Sequence, residues 1–424
     1  MKAQRVFSTP DDGFHYYFGY YDKSPMSADG HRHLALRVEF LDKLPGVGDK
    51  ADIGFFDLRK GKPVFERITD TRTFNWQQGA MLQWVGPDHS SSIIFNDLVD
   101  GRFIARVIDI DNMFERQLPM AIYALDSVGR YAYCVDYERH YWCRRGYSYD
   151  GVVSPNKDRP VVQGDGIFRM DLISGKVERI IAIEVLNAIK PMDDMYEGYN
   201  YLEHVMVSPS GGKIAFLHRW RNYGGIYARL YVADSDGRNI RLLNNSGRMS
   251  HFCWRTEDEL FGWGGLVNPV NALRRYRFAA KYVFAPLMPL YRRLVTGGSV
   301  KWNTRLSSAV SGDGYIRFMV NGSSVSRADI SGATEDGHPS FHPTKRHICI
   351  TDTYPDAKHY CNLLAMDLEV GHSKNLDTLK SIPEYDQSPL RCDLHPKWSY
   401  DGNFVSIDTM HEQRRGIYLY QITF

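Results

Sequence analysis

The chain has 424 residues and a formal net charge of +2, so bulk charge excludes a partner held by polyanion attraction alone, and no nucleic acid is expected. Its six cysteines (Cys134, Cys143, Cys253, Cys349, Cys361, Cys392) show neither CxxC pairs nor the spacing of a disulfide framework. Reduced thiols, an N-terminus without an apolar h-region and no apolar run of roughly 20 residues predict a cytoplasmic protein without a spanning helix.

In chain order, seven segments repeat one plan: a polar or aromatic residue on a short strand that runs into a turn. They contain Tyr20 (turn Ser27-Ala28-Asp29-Gly30), Gln77 and Gln78 (turn near Pro87-Asp88), and Tyr123 (turn Asp126 to Gly129). His204 follows (turn Ser208 to Gly211), then His251, His338 and His395 (turn Ser399-Tyr400-Asp401-Gly402). Asp-Gly between alternating runs predicts a type I′ hairpin, with both central residues at positive φ. Most units close on an alternating strand ending in aspartate, such as IGFFDL, IFRMDL and LLAMDL, and period-two alternation is the β signal.

Units of roughly 45–57 residues match the period of propeller blades, which cannot bury both faces alone and must stack around an axis. The expectation is an all-β, seven-bladed β-propeller, residues 1–424 forming one domain; an open β-sandwich or two smaller β domains is the rival. The last unit has only three strands, and the orphan run 3–9 is expected to complete it and hide the open edge.

Two excursions interrupt the pattern. The third unit carries RHYWCRRGYSYDG, whose aromatics suit sugar rings or bases and whose arginines suit carboxylate or phosphate. Arg139, Tyr141 and Arg145, with Gln77 and Gln78, are therefore candidate substrate-binding residues; a loop glued to the scaffold by its own aromatics is the alternative. The fifth unit carries an insertion at about 266–303, the one convincing helix in the chain. Its 268–295 stretch holds six basic and no acidic residues around a short apolar run. That fits a helix lying on an anionic membrane, peripheral at its inner face; a lid or a dimer contact is the alternative.

His204, His251, His338 and His395 fall at equivalent positions in units four to seven, so a closed ring would converge them on its axis. Neutral imidazole is the commonest metal ligand, and Asp393 lies two residues before His395. Metal binding by His251, His338, Asp393 and His395 is expected; histidines that merely bond blade backbones are the alternative. Histidine, arginine, tyrosine and a metal at a channel mouth suit proton abstraction beside a carboxylate, with loss of the β substituent. His204 is the candidate base, Arg219 the carboxylate partner, and Tyr199 or Tyr201 the donor to the leaving oxygen.

The segments EHVMVSP, SHFCW, DGHPSFHP and CDLHPKWSYDG resemble blade openings in the metal-containing propeller polysaccharide lyases, oligogalacturonate lyases most nearly and ulvan lyases more distantly. The resemblance implies a seven-bladed propeller that cleaves uronate-containing glycans by β-elimination. It also implies a divalent ion (Mn, Zn or Ca) held by histidines and a glutamine, with a separate histidine and an arginine doing the chemistry. By motif, His251 and His395 take ligand positions and His204 the catalytic one; Asp393 stands where glutamine or histidine would be expected, and His338 completes the set. A carbon–oxygen lyase acting on an acidic oligosaccharide or polysaccharide is the leading expectation. A non-catalytic propeller of the TolB or WD type, binding glycan or protein, and a membrane-associated surface-polysaccharide assembly protein are the alternatives.

Overall fold

Period-two hydrophobicity builds seven four-stranded antiparallel sheets, a seven-bladed propeller. The computed structural model describes residues 1–222, 225–266, 282, 286 and 312–424. Six blades are plain meanders of consecutive strands, at 15–71, 83–118, 124–182, 199–247, 249–327 and 340–380. The seventh joins Lys397–Trp398, Phe404–Thr409 and Gly416–Thr423 to the N-terminal strand Lys2–Ser8, which pairs with Gly416–Thr423 from Lys2↔Thr423 to Ser8↔Tyr418. The chain thus closes its own ring with a strand from its far end.

Hydrophobic layers lie between blades, and a repeated tryptophan ties neighbours together. Trp84, Trp254 and Trp398 lie at or near the ends of the inner strands of blades two, five and seven. Each indole N–H donates to a carbonyl of the preceding blade, Pro25 (2.9 Å) in the turn after its inner strand and Met206 (3.3 Å) and Ser340 (3.1 Å) within theirs. Such a ring buries its large amphipathic side chains and satisfies their single donor at once.

The inner hairpins are not type I′ as the Asp-Gly pairs predict. Gly30, Gly129, Gly211 and Gly402 each donate their N–H to the residue three back, and within these turns only the glycine has positive φ (69–79°). This is a turn of type I followed by a left-handed glycine. The N–H groups of Ser27, Asp126, Ser208 and Ser399 bond carbonyls five residues on, so the strand reverses through four loop residues instead of two. The third-unit excursion is also not all loop: Tyr137–Cys143 is helical, capped by Asp136 accepting from the N–H of Arg139. Short helices at Ile183–Ala188 and Asp193–Tyr196 join it, so helix occurs where the sequence reading expected only strand and loop. The basic stretch 268–295, which carried the membrane expectation, falls between the strands Glu259–Gly265 and Asp313–Met319 of blade five and lies outside the described residues apart from Tyr282 and Pro286. Among the described residues no helix is long and apolar enough to cross a membrane.

Candidate functional site

The inner strands are irregular where the histidines sit, and the irregularity aims them. His204 lies in a register shift of Tyr199–Val207 between Glu203 and Met206, with φ 54°. His251 lies in another, between Met249 and Phe252. His395 has φ 44° and lies two residues before the start of the two-residue strand Lys397–Trp398. An unpaired residue rotates its side chain off the two-face alternation of a strand, and a non-glycine at positive φ costs on the order of 1–3 kcal/mol.

The four imidazoles form a chain around Tyr20 and Tyr21. Ring centroids are 5.7 Å apart for His204 and His251, 4.1 Å for His251 and His338, and 4.2 Å for His338 and His395. Tyr20 lies 5.1 Å from His204 and 5.4 Å from His395, and Tyr21 lies 5.2 Å from His338. Burial removes hydration from the ring cations, and neighbouring cations add repulsion; both hold His204 and His395 well below the ordinary histidine range, so both rings are neutral.

Ligand atoms of His338, Asp393 and His395 all lie within 4.8 Å of one another. His395 Nε2 is buried without a hydrogen-bond partner, which leaves its lone pair uncommitted. Asp352 holds His338 through Nδ1 (2.8 Å), which leaves Nε2 to face away from that carboxylate. Asp336 holds Nδ1 of His251 at 3.2 Å. Carboxylates behind histidines in this way fix tautomer and ring orientation at metal centres. Asp393 itself is gripped by Arg391 through two hydrogen bonds, the longer 2.9 Å; burial opposes its charge, but the guanidinium outweighs it and keeps the carboxylate ionised. The neutral His395, the Nε2 side of His338 and an ionised oxygen form a donor set suited to a divalent transition ion. Burial opposes a proton on His338, but Asp352 outweighs it and raises its proton affinity, so an ion would have to displace that proton. His251 lies beside the set without belonging to it.

Glu203, fully buried, is the second centre of charge. It accepts from His140 Nε2 (2.9 Å) and Arg144 (2.7 Å), pairs with Arg219, and sits 3.4 Å from Nδ1 of His204. Two guanidinium groups against one carboxylate leave a net positive charge beside His204. The helix Tyr137–Cys143 delivers His140, and Arg144 follows it directly, stacked over Tyr147 at 3.7 Å.

The remaining predicted residues divide. Tyr201 is buried, stacked on His140 at 5.6 Å, with its hydroxyl unpartnered; Tyr199, at the strand's start, is half-buried. Gln77 Nε2 donates to the Arg391 carbonyl (2.8 Å) and Gln78 Nε2 to the Tyr123 hydroxyl (3.0 Å), and both side-chain oxygens are unpartnered. Arg139 belongs to the scaffold: it is fully buried and spends its N–H groups on the carbonyls of Asn200, Asn156 and Pro160. Tyr141 is half-buried and Arg145 exposed, with the guanidinium 5.6 Å from the ring. Sequence reasoning missed Glu203, Arg144, Asp352 and Tyr21, although ICITD ends on Asp352 and Glu203 is the residue before His204.

No protein-family model and no curated protein matches this sequence. Solved structures do match in fold. An oligogalacturonate lyase in complex with manganese aligns over 99% of this chain and 93% of its own, with TM-score 0.61 at 14% identity. An oligogalacturonate lyase from Vibrio parahaemolyticus aligns over the same shares, with TM-score 0.57 at 11% identity. The chain is therefore similar in fold to oligogalacturonate lyases along nearly its whole length.

Proposed function

We propose that the channel is the active site of a lyase that cleaves a uronate-containing glycan by β-elimination. The observation that carries this reading is the approach of His338, Asp393 and His395 to within 4.8 Å in a buried channel beside a neutral histidine and two arginines. A divalent ion bound there would neutralise the substrate carboxylate and acidify the adjacent C–H. Nitrogen and carboxylate donors favour manganese or zinc over calcium, and the manganese complex of the similarly folded lyase supports the first.

His204 is neutral, and neither of its ring nitrogens has a hydrogen-bond partner, so a lone pair is free to take that proton. Burial and the Arg219 charge make the ring a weak base until a substrate carboxylate offsets that charge. The proton's departure forms the double bond as the β C–O bond breaks. Tyr201, or Tyr199 beside it, returns a proton to the leaving oxygen. Arg219 and Arg144 add positive charge where the carboxylate would sit, and the free oxygens of Gln77 and Gln78 can accept from sugar hydroxyls. A polar cleft of about 240 Å³ lined by Arg219, Arg248, Ser250, Asp313 and Asp336 reaches this face.

One observation favours a second reading. His204 is fully buried, as a glycan- or protein-binding propeller without catalysis would allow. Screening uronate glycans for the ultraviolet absorbance of an unsaturated product, with metal analysis of the same preparation, decides between them. Product formation that His204→Ala abolishes, with metal retained, supports the lyase; no product and no metal supports the binding propeller.

A further inference from the structure

The inner strands run from the histidines to the other end of the channel, where a separate cleft of about 320 Å³ opens. Its lining comes from all seven blades or the turns beside them. It includes Lys23, Trp254, Arg346, Lys397, Trp398 and Tyr400. Lys397 and Trp398 lie two and three residues beyond His395, so at about 3.3 Å per residue the cleft starts roughly 7–10 Å past that ring. Tyr21 separates the two sites. Its ring touches His338 and lines the cleft, and its hydroxyl is fixed by the Phe252 carbonyl (2.7 Å) and N–H (3.1 Å).

Five cations around the axis are matched by carboxylates, while the buried Arg139 and Arg415 bond backbone carbonyls instead. Arg144 and Arg219 meet Glu203, Arg391 meets Asp393, Lys23 meets Asp22 (2.7 Å) and Lys397 meets Asp408 (3.1 Å). Arg346, half-buried in the turn between Ser340–Phe341 and Ile348–Asp352, has no carboxylate partner among the described residues. Burial lowers its affinity for its proton, and the Cys253 thiol is the only group offsetting this. A partly desolvated guanidinium without a counter-charge is expensive to keep, and a walled cleft strengthens its field. Two largely buried indoles, with both N–H groups already spent on backbone, and the Tyr400 ring, stacked on His89, line the same cleft.

We infer that this cleft binds a small oxyanion, phosphate or carboxylate, carried on a flat ring, with Arg346 as its counter-charge and Trp254 and Trp398 as its stacking walls. Guanidinium pairs such oxyanions through two parallel N–H donors, while the ring displaces water from the indoles. The site is independent of the histidine cluster and does not rest on the lyase reading.

Titrating the full chain with phenyl phosphate and with benzoate, by calorimetry and tryptophan fluorescence, tests it; phenol and inorganic phosphate are the single-feature controls. At least one ring-borne oxyanion should bind saturably and at least tenfold more tightly than inorganic phosphate, with phenol silent. Arg346→Gln should weaken binding at least tenfold while the circular dichroism spectrum stays unchanged. Arg346→Lys should bind between the two, and His395→Ala should bind as the parent does. Absence of saturable binding by both probes, or an Arg346→Gln protein that titrates like the parent, would overturn the proposal.

Discussion

Asp352 accepts two hydrogen bonds from His338, one from its backbone N–H and one from its Nδ1, each 2.8 Å long. Its other oxygen accepts the backbone N–H of His395 at 3.0 Å, so one carboxylate sets two of the candidate ligands on different blades.

Replacing Asp352 by Asn puts an amide where an acceptor is needed and loosens the choice of tautomer at His338. Manganese affinity should fall about 10–100-fold, the range seen when the outer partner of a ligating histidine is lost. Calorimetric titration measures it, and the imidazole nitrogen shifts of His338 in metal-free protein report the tautomer directly. An unchanged tautomer would show that Asp352 does not set it, whatever metal the protein binds.

Glu203→Gln should cost far more stability than an ordinary surface change. It leaves the guanidinium groups of Arg144 and Arg219 facing a neutral amide in a buried site, for which a loss of about 3–5 kcal/mol is expected. Burial opposes the charge on Glu203, but Arg144 and Arg219 outweigh it and depress the carboxyl pKa. A depressed carboxyl pKa stabilises the fold above the unfolded-state value and loses that contribution as pH falls below it. Urea unfolding should therefore show the parent's advantage over Glu203→Gln shrinking in acid, and a constant gap would contradict the ion-pair origin.

Asp165 works in the opposite direction. Burial and the neighbouring Asp136 raise its pKa to about 8, one oxygen accepting from the Gly166 N–H at 2.6 Å and the other having no partner. A raised carboxyl pKa means the folded state holds its proton longer than the unfolded state. Stability from this group should therefore decline as pH rises from the ordinary carboxylate range toward 8. Asp165→Asn should raise the melting temperature at pH 8 relative to the parent and change it little at pH 4. Equal shifts at both values would exclude a titration origin.

Removing residues 1–10 should destabilise the whole ring, because it strips the outer partner from Gly416–Thr423 and leaves that strand as an open edge. A single thermal transition at a markedly lower temperature, or aggregation on expression, is the expected outcome. A melting profile like that of the full chain would show that the three remaining strands close the blade by themselves.

Local pattern determined much of this molecule. Period-two alternation, the recurrence of turn residues and the matching phase of four histidines depend on near neighbours, and they specify seven blades and converging imidazoles without reference to distant contacts. The type of turn was not legible, because Asp-Gly is compatible with both a two-residue reversal and the four-residue one observed. Ring closure alone decided the electrostatics. Asp352 reaches His395 across 43 residues, and Glu203 meets His140 across 63 and Arg144 across 59. It also separated Arg139, which holds three carbonyls of the scaffold, from Arg144, which faces the buried carboxylate, although both come from one short segment. A pattern of alternating residues encodes which face of a strand is apolar, but which charge meets which is settled only when the blades pack and exclude water.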